Sequence, residues 1–97
     1  MAYAEIKDQV EYSAARRTCA AVVQRALLDA KNGHVDSIVW LASRMAENWI
    51  DCLDMDQAAL LLKSGWIDWA EVALEGTLSK NQRQVLIDTL DYLEEMN

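Results

Sequence analysis

The sequence predicts an all-α protein: a compact bundle of about five helices with a long N-terminal helix and short glycine-terminated turns. Three observations carry this. The chain contains no proline. Its apolar residues recur at intervals of three and four, the spacing of one face of an α-helix. Its three glycines, Gly33, Gly65 and Gly76, fall between the periodic segments, where helices stop. At 97 residues, with 53% hydrophobic and 26% charged, the chain reads as one domain, 1–97, large enough to bury a core.

The first helix runs from about Tyr3 or Glu11 to Asn32. Its main apolar face is Tyr12, Ala15, Cys19, Val22, Val23, Ala26, Leu27 and Ala30. A second apolar row, Ile6, Val10, Ala14, Ala21 and Leu28, lies on another side. So wide an apolar surface means that the helix packs on two sides or meets another chain. Gly33 supplies the left-handed residue that ends it.

A second helix follows to about Cys52, with Val35, Ile38, Val39, Ala42, Ala46, Trp49 and Leu53 on one face. Asp54 and Gln57 form a capping box for a third helix through Lys63. Its run Ala58 to Leu62 is apolar all round and is expected to be the most buried element. Ser64-Gly65 closes it, with Trp66 placed for the apolar contact of a glycine cap.

Asp68 and Glu71 form another capping box, with Ile67 and Val72 at the staple positions, opening a short fourth helix that ends at Gly76. Ser79 with Gln82 starts the fifth, which reaches nearly to the C-terminus with Val85, Leu86, Thr89, Leu90, Leu93 and Met96 facing the core.

Charge is unevenly placed. Residues 1–34 hold five Lys/Arg against four Asp/Glu, whereas residues 35–97 hold four against twelve, a net −8. Part of this acidity forms rows: Asp68, Glu71 and Glu75 on the fourth helix, and Asp88, Asp91 and Glu95 on the fifth, both at 3-and-4 spacing. Two readings fit these rows. They are the solvated faces of amphipathic helices, partly neutralised by Arg16, Arg17 and Arg25, or they dock a basic protein surface. In one version of the second reading the carboxylates imitate nucleic-acid phosphates. Trp40 projects among Asp36, Ser37, Arg44, Glu47 and Asp51 on the polar side of the second helix. An aromatic there, stacked on Arg44 at i,i+4, reads as an interface anchor or as a residue covered by another segment.

Other chemistries fail on inventory. His34 is the only histidine, and Cys19 and Cys52 lie fifteen and eighteen residues from it, so no metal set is expected. Asp51, Asp54 and Asp56 lack the glycine and distal glutamate of a calcium loop and read as helix caps. No phosphate-binding glycine loop, G-x-S-x-G or Cys/His couple is present, so neither an enzyme nor a cofactor is expected. The helices flanking Gly65 have the gross form of a helix-turn-helix. Their would-be recognition helix carries Asp68, Glu71 and Glu75 and no base, and would repel a phosphate backbone.

No run of 18 apolar residues and no basic, then apolar, leader is seen. The two cysteines read as reduced, buried thiols in preference to a Cys19–Cys52 bridge, because no loop-rich context flanks them. Together these give a soluble, cytoplasmic expectation, and the acidity argues against anionic membranes.

The function expected is a non-enzymatic acidic protein-binding module, a small inhibitor covering a basic, nucleic-acid-handling surface. Asp68, Glu71, Glu75, Asp88, Asp91 and Glu95 would steer, and Trp40 with Arg44 would anchor. In size, charge and helicity the chain is similar to phage anti-CRISPR and anti-restriction proteins, a likeness that no motif carries. The alternative is a homo-oligomeric structural or regulatory bundle associating through Ile6, Val10, Ala14, Ala21 and Leu28.

Overall fold

A computed structural model describes the backbone of residues 3–96 and the side chains of residues 13–96. It is all-helical over that range: α1 (Tyr3–Lys31), α2 (Val35–Leu41), α3 (Arg44–Asp51), α4 (Gln57–Ser64), α5 (Trp66–Leu74) and α6 (Lys80–Met96). The helix α1, about 43 Å long at 1.5 Å per residue, gives the molecule its elongated outline of 57 × 25 × 20 Å. Among the described side chains of α1, Ser13, Ala14 and Ala15 are exposed, Arg16 is half-buried and Cys19 is buried. Ala15 therefore leaves the predicted core face, and Tyr12 lies outside the described side chains.

The end of α1 follows the sequence reading. Gly33 has φ 92°, His34 N donates to Asp29 O and Gly33 N to Ala30 O, both at 3.0 Å. These paired bonds satisfy carbonyls that the helix end would otherwise orphan. Gly65 (φ 97°) closes α4 and at the same time opens α5. The Ser79–Gln82 box at the start of α6 is reciprocal: Ser79 N donates to Gln82 Oε1 at 3.0 Å, and Gln82 N to Ser79 Oγ at 3.1 Å.

Three start signals differ from expectation. The predicted second helix is two, broken at Ala42–Ser43. Ser43 adopts extended backbone and its Oγ accepts from Ala46 N at 3.1 Å, a new N-cap. Gln57 does not complete a box with Asp54. Its Nε2 donates instead to Leu41 O and Ser43 O, each at 2.9 Å, satisfying the carbonyls freed by that break. The cap of α4 is Asp56, whose Oδ2 accepts from Ala59 N at 3.0 Å, while Asp54 takes a left-handed φ of 57°. Finally, α5 starts at Trp66, two residues before Asp68, which sits in its first turn.

The main core joins Ala30, Ile38, Leu41, Ala58, Leu61, Trp66, Ala70, Leu86 and Leu93; a second cluster joins Val23, Ala46 and Ile50. Trp66 is wholly buried and its Nε1 donates to Ile38 O at 2.8 Å. The expectation that α4 is most buried is corrected: Ala59 is exposed and Leu60 and Leu62 are half-buried. The all-apolar run reflects two neighbours on different sides, not full enclosure. Met96 is half-exposed at the end of α6, outside its predicted core role.

Cys19 and Cys52 form a disulfide, with Cα atoms 6.4 Å apart. The reading of two reduced thiols is thereby corrected. Their sequence surroundings carry no loop-rich signature, and only the packing of α1 on the end of α3 brings them together. The cysteine-based argument for cytoplasmic residence goes with it, because disulfides persist in oxidising surroundings. Among the described residues no helix is long and apolar enough to cross a membrane.

Candidate functional site

The six row carboxylates, Asp68, Glu71, Glu75, Asp88, Asp91 and Glu95, are all exposed. Among the described residues none of them joins an ion pair. Of the three arginines expected to neutralise them, two are directed elsewhere, Arg16 to Asp54 at 3.4 Å and Arg25 to Asp29 at 3.3 Å, and Arg17 is exposed on α1 without an ion pair to the rows among the described residues. Arg83 donates to Leu74 O at 3.3 Å and to Gly76 O at 3.4 Å, holding the open carbonyls where α5 ends. Among the described residues only Asp88 of the six has a side-chain partner, accepting from Gln84 Nε2 at 2.8 Å.

This arrangement is costly to the helix that bears it. The last turn of α6 holds Glu94 and Glu95 and no base. A negative charge at a helix C-terminus opposes the macrodipole, by about 0.3–1 kcal/mol per charge. Like charges at i,i+4 oppose the helix further. Local stability therefore does not account for the row on α6.

Trp40 is corrected as the exposed anchor. It is half-buried and packs against both core clusters. The projection that placed it beside Arg44, Glu47 and Asp51 treated residues 35–52 as one helix, and the break at Ser43 re-aims α2 relative to α3. Arg44 stands exposed at the start of α3, without an ion pair among the described residues. The two therefore do not form the stacked pair of one continuous helix.

The exposed aromatic of the acidic side is Tyr92, which sequence reading passed over. It is 57% exposed on α6 and lies between two adjoining hollows. One, of about 280 Å³, is lined by Glu47, Asp51, Asp56, Gln57, Ala58 and Tyr92. The other, of about 180 Å³, is lined by Ala42, Gln57, Ala58, Leu61, Asp88, Thr89, Tyr92 and Leu93. Because Gln57, Ala58 and Tyr92 belong to both, the hollows form one groove between α6 and the α3–α4 side. Its sequence signal was present in part: Asp88 and Tyr92 are i,i+4 neighbours, on one face of α6. The other wall, Glu47, Asp51 and Asp56, comes from more than thirty residues earlier in the chain and is met only through packing.

Among the described residues no group of three or more His, Cys, Asp or Glu side chains is placed to hold a metal ion.

The second apolar row of α1 faces outward over its described part. Ala14, Ala21 and Leu28 are exposed, Leu28 by 52%, whereas Ile6 and Val10 lie outside the described side chains. The exposed residues Arg17, Gln24 and Arg25 lie among these apolar positions, so the outward face is mixed. Beside α1, a separate apolar hollow of about 380 Å³ is bounded by Ala20, Val23, Leu27, Leu53, Met55 and Leu60, with Arg16 and Gln24 at its edge.

No known protein family, curated protein or solved structure matches this chain.

Proposed function

We propose that this chain is a non-enzymatic acidic protein-binding module, a small inhibitor that covers a basic, nucleic-acid-handling surface of a partner protein. One observation carries this reading: six carboxylates in two helical rows stand in solvent and join no ion pair among the described residues, while Arg16 and Arg25 of α1 pair with Asp54 and Asp29. The opposed dipole at the end of α6 supports it, because the charge is kept at a cost to the helix. A one-signed surface steers a basic partner during encounter and repels nucleic acid and anionic membrane. Anchoring passes from Trp40, which serves the core, to exposed groups such as Tyr92 and Arg44.

The test is capture of partners from the native host, compared with the variant Asp88→Lys/Asp91→Lys. Capture by the parent chain should weaken steeply from low to high ionic strength, and the variant should lose it. Capture that survives both charge reversal and salt would sink the reading.

A second reading, self-association through the outward row of α1, is favoured by the exposure of Leu28 beside Ala21. Its test is the mass in solution: Val10→Asp/Leu28→Asp should convert a dimer to a folded monomer. A parent chain that is monomeric at all concentrations rules it out.

A further inference from the structure

The groove beside Tyr92 has a chemistry of its own. Its floor is apolar, from Ala42, Leu61 and Leu93, and its walls carry Glu47 and Asp51 on one side and Asp88 on the other. Among the described residues no Lys or Arg lines either hollow. The side-chain carboxylates of Glu47 and Asp51 have no hydrogen-bond or ion-pair partner among the described residues. Tyr92 stands exposed between the walls, its ring available to a ligand lying along the groove.

We propose that this groove receives an extended, arginine-bearing segment of the basic partner, with a guanidinium lying between the Tyr92 ring and the wall carboxylates. The proposal rests on the docking reading above and names where and how the cation is held. Carboxylates on both walls, with no group of three or more placed to hold a metal among the described residues, suit a ligand that distributes its positive charge along a chain. Arginine suits the site better than lysine for two reasons. Its planar guanidinium stacks on an aromatic face, and its fork of N–H donors pairs with carboxylates in two parallel bonds. The stem of the arginine and the small residues beside it cover the apolar floor. Asp56 contributes charge but keeps one oxygen on Ala59 N, so Glu47 and Asp51 are the principal partners on that wall.

The experiment titrates the full chain with two labelled synthetic peptides, one alternating Arg and Ala, the other Lys and Ala, followed by fluorescence anisotropy at low salt. The Arg peptide should bind at least about fivefold tighter than the Lys peptide, and Tyr92→Ala should abolish that preference. Glu47→Gln/Asp51→Asn should weaken the Arg peptide about tenfold, whereas Asp36→Asn/Glu94→Gln, an equal change of charge outside the groove, should weaken it less than about twofold. Circular dichroism establishes that each variant is folded. Equal losses from the two neutralised pairs, or an unchanged Arg preference in Tyr92→Ala, would overturn the groove while leaving docking by overall acidity in place. Failure of the parent chain to bind either peptide would remove both.

Discussion

The indole Nε1 of Trp66 donates a 2.8 Å hydrogen bond to the carbonyl of Ile38 inside the main core, twenty-eight residues away in sequence. This bond ties the first residue of α5 to the middle of α2, and neither group has water to turn to, since both residues are at most 1% exposed. Trp66→Phe should therefore destabilise the fold by about 2–4 kcal/mol, combining an unsatisfied carbonyl with lost packing. Urea unfolding checks this, and a midpoint unchanged from the parent would mean that the bond contributes nothing.

Gln57 holds the break between α2 and α3 through Leu41 O and Ser43 O. Gln57→Leu removes both donors and should cost about 1–3 kcal/mol. Gln57→Glu should cost at least as much at neutral pH, because a carboxylate presents only acceptors to two carbonyl oxygens. If Glu were tolerated better than Leu in thermal unfolding, the bridging role would be wrong.

The Cys19–Cys52 bridge closes a loop with a sequence separation of 33 residues. On a chain-entropy argument its removal by Cys19→Ala/Cys52→Ala should lower stability by about 3–4 kcal/mol. A domain of ordinary stability, about 5–15 kcal/mol, survives that loss, so the reduced form should remain helical by circular dichroism with a lower midpoint. Mass measured with and without reductant should differ by two hydrogens, and identical masses would show that the bridge does not form.

Glu95 opposes both the dipole of α6 and its acidic neighbours. Glu95→Lys should stabilise the fold by about 0.3–1 kcal/mol while weakening capture of a basic partner. Opposite signs in the two assays mark a charge retained for binding; a variant that gains stability and binds unchanged would count against a role for this position.

Much of the fold was legible because helix signals are short-range. The stop at Gly33 and the box at Ser79–Gln82 involve residues within a few positions of each other, and they appear where the pattern puts them. The capping residue of α4 was misread by two places because Asp54 and Asp56 both fit a local rule, and the demand for Gln57 at the α2–α3 break decided between them. Trp40 was misplaced for a related reason: Ser43 has no glutamate three residues on, so the break carried no capping-box signature and the projection ran straight through it. Half of the candidate site was visible as the Asp88 row, and the opposite wall was not.

The helical class, the C-terminal end of α1, the start of α6, and the acidic rows with their exposure could thus be read from sequence, since periodicity and capping act over a single turn. The partner of Cys19, the partial burial of Trp40 and the groove that Tyr92 shares with Glu47 and Asp51 were settled by tertiary packing. Those groups are far apart along the chain, and their meeting depends on how the helices pack, which no local pattern encodes.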